Sequence, residues 1–532
     1  MIHSVRGTRG MAVTPHALAS QSALAVLREG GNAIEAAIAA AATIAVVYPH
    51  MNSIGGDSFW LLHVPGKAPG VIEACGAAAG AASLDWYHAR GITHSIPFAG
   101  GPAANTVAGT IAGWGTAFKL SRSIGGRLPL KRLLEDAIHY AERGYPVTRG
   151  QALATADKRM ALQDQPGFAA TFLHGDAVPE TGSLFVHTRL AATLRRLARA
   201  GTEDFYRGDL ARVIARELQR ADSPLTLADL ERHQSVLRNP LALAHSAGTV
   251  FNAPPPTQGL MSLVMLGILD QLRVQQYAPT SAEYVHFAAE AIKQAFRIRD
   301  AHVTDPAWMK VDPREFLRPQ KLRELAANID PRRAAPWGAG RIGGDTVWMG
   351  VVDGAGRAVS IIQSTYHEFG SGIVLGKTGI NWQNRGCAFS LDPANINTVA
   401  PGKKPFHTLN PAMARLKDGR VMVYGSMGGD GQPQAQNAVF TRMIGHGLSA
   451  QEAVSAPRWL LGRTWGQTSD TLKLESRFPL SVAEKLGGMG HEVEILQAWD
   501  TTVGHAGAIL RHPDGVLEGG ADPRSDGLVA AF

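Results

Sequence analysis

This sequence predicts an α/β layered fold whose sheet is completed across both halves of the chain. Three observations carry that expectation. Amphipathic or fully apolar helical segments dominate the first 330 residues, hairpin-forming strands dominate the remainder, and a stretch rich in Pro and Gly divides the two textures. With 532 residues, 45% hydrophobic and 18% charged, the chain has an ordinary globular composition and is long enough to bury a large core.

Taken in order, Ala17 to Glu29 carries one apolar face and reads as an amphipathic helix. Gly30-Gly31 interrupts it, and Ile34 to Val47 is apolar on nearly every side, the pattern of a buried helix. Gly55-Gly56-Asp57 turns into Ser58-Phe59-Trp60-Leu61-Leu62, a buried-strand pattern. Leu130, Leu133, Leu134, Ala137, Ile138 and Ala141 recur at helical spacing between Pro129 and Gly144, predicting a helix. Thr226-x-x-Asp229 and Thr280-x-x-Glu283 have the form of capping boxes, the second opening a helix through Phe287, Ala291, Ile292 and Phe296. Residues 331–345 lack periodicity and read as a loop. Beyond it, Val347 to Val352 and Ala358 to Gln363 flank an Asp353-Gly354 turn, while Ala412 to Leu416 and Val421 to Tyr424 flank Asp418-Gly419. Two hairpins of an antiparallel sheet are expected there.

Several function classes are disfavoured. The formal charge of +7 would suit a polyanion, but the basic residues are dispersed and no aromatic-interleaved basic stripe occurs, so nucleic acid is not an expected partner. Cys75 and Cys387 stand far apart and suggest neither a disulfide framework nor a zinc site; buried free thiols are expected. The N-terminus lacks a signal-peptide pattern, and the longest apolar run, Ala36 to Val47, is too short to span a bilayer, so the expectation is a cytoplasmic chain with no membrane partner. Gly338-Ala-Gly340-Arg-Ile-Gly343 matches GxGxxG, yet it follows a proline-rich loop and opens a strand, the wrong context for a dinucleotide, and no cofactor is expected. His50, His286 and His407 lack metal-ligand spacing, and no metal is expected.

By itself, Gly343-Gly-Asp345-Thr346 is a strand starting after a turn. Its company changes the reading: Gly30-Gly-Asn-Ala-Ile-Glu-Ala-Ala, Pro49-His50 with Ile54-Gly-Gly-Asp, Pro254-Pro-Pro-Thr-Gln-Gly259, Phe369-Gly-Ser-Gly372, Ala400-Pro-Gly-Lys-Lys-Pro405, Gly425-Ser-Met-Gly-Gly429, Ala456-Pro-Arg458 and Asp522-Pro-Arg524. Together these closely resemble the gamma-glutamyltranspeptidase family of N-terminal nucleophile hydrolases, along nearly the whole chain. The resemblance implies a four-layer αββα fold and self-cleavage between Asp345 and Thr346. The products would be a large (α) fragment 1–345, helix-rich and ending in the processing loop 331–345, and a small (β) fragment 346–532. The resemblance implies that these form a heterodimer from one precursor, with a dimer of heterodimers left open. It also makes Thr346 the nucleophile. Cleavage frees an α-amino group with a pKa of about 8, near enough to neutrality to serve as base for a hydroxyl that is otherwise a poor nucleophile. Family correspondence puts Ser364 in place of a second hydroxyl, usually Thr, and makes Gly428 and Gly429 the N–H donors of an oxyanion hole, a contribution of about 3–4 kcal/mol per donor.

The residues that grip a glutamyl group in this family are nearly all changed. Glu73-Ala74-Cys75 stands where an Arg is usual, Tyr366 replaces an Asn, Ala388 an acidic residue, and His407-Thr408 a serine pair; Phe389 to Pro401 is shorter than the usual lid. Losing an Arg that pairs a carboxylate argues against glutathione. A smaller carboxylate-bearing amide, held among Arg385, Tyr366, His407 and Thr408 with Arg385 as the bidentate contact, is the expected substrate. Within the family, the pattern most resembles members that hydrolyse oxamate to oxalate and ammonia late in purine (urate) breakdown. Alternatives are a dicarboxylic-acid amide (glutaryl-type) acylase, a gamma-glutamyl hydrolase or transferase, and, from another class, an unprocessed scaffold protein.

Overall fold

The computed structural model describes residues 3–338, 345–463 and 469–532. The part of the processing loop that holds the Gly340–Gly343 run lies outside the described residues, as does the side chain of Asp345. Fourteen strands form the two central layers. In chain order they are β1 (Val5–Gly7), β2 (Gly10–Thr14), β3 (Asp57–His63), β4 (Gly70–Ala74), β5 (Val236–Arg238), β6 (Leu241–His245) and β7 (Gly248–Asn252), then β8 (Asp345–Asp353), β9 (Ala358–Tyr366), β10 (Ala412–Leu416), β11 (Val421–Ser426), β12 (Ala506–Arg511), β13 (Leu517–Ala521) and β14 (Leu528–Ala531). One seven-stranded sheet runs β1-β13-β12-β11-β10-β7-β6 and the other β14-β2-β8-β9-β3-β4-β5. Every neighbouring pair in both is antiparallel.

The sheets stack through a shared apolar layer in which Met11, Phe59, Leu61, Trp348 and Ile362 meet Phe251, Met413, Val423 and Ile509. Helices α1 (Ala17–Arg28) and α2 (Ala33–Val47) cover the outer face of the second sheet, and α3 (Gly259–Gln271) and α4 (Ala282–His302) that of the first. This is the four-layer αββα arrangement expected. All of α2 is buried, which suits its Ala-rich, all-round apolar composition. Asn32 starts it: its Oδ1 accepts from the amides of Ile34 and Glu35 at 3.0 Å, and the Glu35 carboxylate accepts from the Asn32 amide at 2.9 Å. The Gly30-Gly-Asn-Ala-Ile-Glu motif is thus a turn followed by a capping box.

Some expectations need correction. The helix through Leu130 and Ala141 has two pieces, Leu130–Leu133 and Glu135–Arg143, meeting at Leu134, where the turn loosens to φ −97°, ψ −1° while the Leu134 amide still bonds the Leu130 carbonyl (3.1 Å) and the Ile138 amide the Leu134 carbonyl (3.0 Å); Leu133 and Leu134 both lie in the core. The helix expected from Thr280 is capped by Ser281, whose Oγ accepts from the Tyr284 amide at 3.2 Å, while Glu283 pairs with Lys485. The Thr226–Asp229 capping box forms as expected. The first half is not only helical, since it supplies seven of the fourteen strands. Among the described residues, no helix is long and apolar enough to cross a membrane.

Candidate active site

Thr346 is the second residue of β8, an interior strand of its sheet, and is 1% exposed. Asp345 pairs with Tyr366 and Val347 with Gln363, so a β-bulge sets Thr346 against both Ser364 and Thr365 of β9. On its other side Ser364 pairs with Asp57 of β3. The turn leading into β3 runs so close that a Cβ on Gly56 would lie 2.2 Å from the Ser364 carbonyl oxygen, which explains the Gly-Gly-Asp motif. Ser364 Oγ accepts from the Tyr366 amide at 2.8 Å.

That turn holds Tyr366 at φ +85°, a conformation aromatic residues rarely adopt. Its ring lies 3.9 Å from the Arg385 guanidinium carbon. Arg385 is fully buried; its Nη1 donates to Thr408 Oγ1 at 3.4 Å, while Nε and Nη2 have no hydrogen-bond partner among the described residues. Burial pulls its pKa down to about 10, although Tyr366 and Asp57 oppose the shift. Asp57 Oδ1 accepts from the amides of Gly76 (3.2 Å) and Gly109 (2.9 Å), and Oδ2 stands 3.6 Å from His407 Nε2. Burial pushes the Asp57 carboxyl up to about 7, with the nearby Arg385 pulling the other way. Burial and then Arg385 hold His407 well below its usual value, so it is neutral.

A run of hydrogen bonds joins this anchor region to Thr346. The Thr408 carbonyl accepts from Gln258 Nε2 at 2.9 Å and Asn410 Nδ2 at 2.7 Å. Asn410 Nδ2 also donates to Gln432 Oε1 at 3.0 Å, and Gln432 Nε2 donates to Thr346 Oγ1 at 3.4 Å. Gln258 further donates to the Gly429 carbonyl at 2.7 Å, tying His407-Thr408 to the paired glycines. Gly428 and Gly429 have φ +113° and +50° and precede α5 (Gly431–Phe440), whose N-terminal amides and dipole favour an anion.

Thr346, Ser364, Tyr366, Arg385, His407, Thr408, Gly428 and Gly429 therefore meet in one buried region. Sequence reasoning assigned nothing to Asp57, Gln258, Asn410 or Gln432. Asp57 and Gln258 lay inside quoted motifs, but no spacing rule marks Asn410 or Gln432. Glu73 is 1% exposed and paired with Lys404 and, at 3.1 Å, with Arg238. Cys75 is a buried free thiol as expected; Cys387 is also free but only partly buried, its Sγ donating to the Pro97 carbonyl at 3.0 Å.

One face of α4 holds the chain that leads toward Thr346. His286 Nε2 lies 2.8 Å from the Asp330 carbonyl, Glu290 accepts from the Ala335 amide, Lys293 donates to the Ala335 carbonyl at 2.7 Å, and Arg297 donates to that of Pro336 at 3.2 Å. These residues follow helical spacing. His286, Glu290 and His491 could converge on a cation, their ligand atoms lying within 4.8 Å of one another. Instead, His286 is bonded to His491 at 2.8 Å and Glu290 to Lys293 at 2.7 Å.

A family model described as Gamma-glutamyltranspeptidase matches residues 19–532. The chain is 57% identical to the oxamate amidohydrolase proenzyme of Klebsiella pneumoniae subsp. pneumoniae, over 99% of each chain. It is 41% identical to the glutathione hydrolase-like YwrD proenzyme of Bacillus subtilis, over 100% of both. Among solved structures, a cephalosporin acylase from Bacillus halodurans superposes with a TM-score of 0.90 at 33% identity, covering 99% of this chain and 97% of that one.

Proposed function

This chain belongs to the gamma-glutamyltranspeptidase family, and from that membership we propose that it is a self-cleaving amidohydrolase. Its reaction is hydrolysis of oxamate to oxalate and ammonia through a Thr346 ester, as a step of purine (urate) breakdown. In the precursor, Thr346 Oγ adds to the Asp345 carbonyl carbon. The peptide C–N bond breaks as the hydroxyl proton passes to the departing nitrogen, and water hydrolyses the resulting ester. Thr346 is left with a free amino group beside its hydroxyl, with a pKa of about 8.

In turnover that amine takes the Oγ proton while Oγ bonds to the amide carbon of oxamate. The amide N–H groups of Gly428 and Gly429 receive the oxyanion, at the head of α5. Collapse breaks the C–N bond, and the proton held on the Thr346 amine leaves with ammonia. Water, deprotonated by the same amine, then attacks the oxalyl ester; oxalate departs and Oγ recovers its proton. Ser364, across the bulge, orients the nucleophile.

The observation that carries the substrate class is Arg385, a buried guanidinium whose Nε and Nη2 have no partner among the described residues and which is joined to Thr346 through a run of hydrogen-bonded residues. Such a fork suits a carboxylate. Because Arg385, His407, Thr408 and Asp57 are all at most 1% exposed, the group that reaches them is small. The name of the Klebsiella relative supports oxamate in particular.

The test has two parts. Denaturing electrophoresis with N-terminal sequencing of the shorter fragment is expected to give Thr346 as its first residue, and Thr346→Ala to remain full length. Ammonia or amine release from oxamate, glutathione and glutaryl amides is then compared. A persistent full-length band from the wild type, or turnover of glutathione alone, overturns the proposal.

A further inference from the structure

We propose that Gln432 is a further catalytic residue: its side-chain amide donates a hydrogen bond to Thr346 Oγ, stabilising the oxygen as the hydroxyl proton departs. The inference rests on Thr346 being the nucleophile.

The direction of this hydrogen bond is dictated by its neighbours. The two ends of an amide side chain are distinguished only by what they touch. The Thr408 carbonyl can only accept, so the end of Asn410 that faces it at 2.7 Å is the NH2. The same Nδ2 lies 3.0 Å from Gln432, which must present its oxygen there. The Nε2 of Gln432 therefore points at Thr346 Oγ, 3.4 Å away. Turning Asn410 over would set its oxygen against the Thr408 carbonyl, two acceptors at 2.7 Å, while its backbone carbonyl, held by Gln436 Nε2 at 2.6 Å, keeps the residue in place. Asn410, Gln432 and Gln436 are all at most 1% exposed, so water does not replace a lost partner easily.

A carboxylate in the same position would do the opposite: as an acceptor beside Oγ it would draw the hydroxyl proton into a hydrogen bond and resist the negative charge that develops on attack. A fixed N–H donor works the other way, and a hydrogen bond to an oxygen gaining charge strengthens as the reaction proceeds. Gln432 also begins α5, its amide bonded to the Gly429 carbonyl at 3.2 Å, so the donor to Oγ and the paired glycines move as one unit. The proton itself goes to the departing nitrogen in self-cleavage and to the Thr346 amine in turnover; Gln432 gives none up.

The test uses Gln432→Met, which has no donor, Gln432→Glu, which keeps the shape, and Thr346→Ala as reference. Rates of self-cleavage, and kcat and KM of the fully processed protein, are followed across about pH 5 to 9. Gln432→Met is expected to slow both reactions roughly 10- to 100-fold, the range for one hydrogen bond to a charged group, through kcat with KM unchanged. Gln432→Glu is an acceptor when ionised and a donor when protonated, so its rate relative to wild type is expected to rise as the pH falls, whereas the ratio for Gln432→Met stays flat. Wild-type rates in Gln432→Met, or a pH-independent ratio in Gln432→Glu, overturn the role; the Glu variant decides the matter should the Met variant fail to fold. Cleavage or turnover retained in Thr346→Ala would instead remove the nucleophile on which it rests.

Discussion

Replacing Arg385 with Met isolates the anchor from the chemistry. Its Nε and Nη2 are buried without partners among the described residues, so a bound carboxylate would gain two charge-assisted hydrogen bonds of about 1.5–3 kcal/mol each. The guanidinium is already desolvated and stacked on Tyr366, so little ordering cost offsets that gain. A loss of about 3–6 kcal/mol corresponds to a fall of roughly 10²- to 10⁴-fold in kcat/KM. Stability should change little. Burial depresses Arg385 to about 10, a penalty of about 3 kcal/mol that the substitution relieves, and Asp57, pushed up to about 7, is protonated below that pH and leaves no bare charge behind. The assay compares oxamate with oxamide, which has the same scissile amide and no carboxylate. The wild type is expected to prefer oxamate strongly, and Arg385→Met to lose the preference with its melting temperature within about 3 °C of wild type. An equal loss on both substrates, or a preserved preference, would refute Arg385 as the anchor.

Three more outcomes follow from the same geometry. Asp57 has a folded-state pKa of about 7, above the unfolded value of about 4, so its contribution to stability is lost as the pH rises through that interval; once ionised it competes for Arg385, and KM for oxamate should climb above pH 7 by up to about tenfold per unit and stay level in Asp57→Asn, a contrast that a KM–pH profile reads directly. Gly428→Ala meets nothing closer than Gly504 Cα at 3.5 Å but must adopt φ +113°, so about 1–3 kcal/mol of strain should appear as a kcat at least ~10-fold lower, with slower self-cleavage on a timed gel. Lys293→Met strands Glu290, which is 2% exposed, and should cost about 3–5 kcal/mol of unfolding free energy; the double change with Glu290→Gln should recover part of it in thermal denaturation, and equal stability of both single and double variants would contradict the argument.

Local chemistry made much of the fold legible. The Asp353-Gly354 and Asp418-Gly419 turns mark their hairpins because such residues suit tight connections, and α2 announces burial by lacking a polar face. The boundaries that shifted are ones that local pattern does not fix: the turn at Leu134 loosens where two successive leucines are buried, and the cap moves to Ser281 while Glu283 pairs with the distant Lys485. The same division holds at the site. Thr346 and the paired glycines stand in motifs, and Gly56 is required by a single backbone approach. Gln432 of α5 and Asn410, just before β10, are marked only by what they touch across the fold, Thr346 of β8 and each other, so nothing in their own neighbourhoods in the sequence singles them out. Asp57 owes its raised pKa to burial beneath strands from both halves of the chain, a property no spacing of residues expresses.

That mixing of halves bears on the proposed cut after Asp345. Residues before it supply β1 to β7 and residues after it supply nearly all of β8 to β14. Five ladders then join one fragment to the other: β1 to β13, β2 to β8, β2 to β14, β3 to β9 and β7 to β10. Both sheets are crossed, and the apolar layer between them draws side chains from both fragments, so separation requires opening the core rather than parting two finished surfaces. Burial of this kind does not weaken with salt as exposed ion pairs do. The cleaved protein is therefore expected to elute from a sizing column as one species in about 2 M sodium chloride. In denaturant, the two fragments should come apart in the same transition that abolishes folded structure. Free small fragment at high salt, without loss of secondary structure, would show that the halves are separable bodies and would contradict this reading of the sheets.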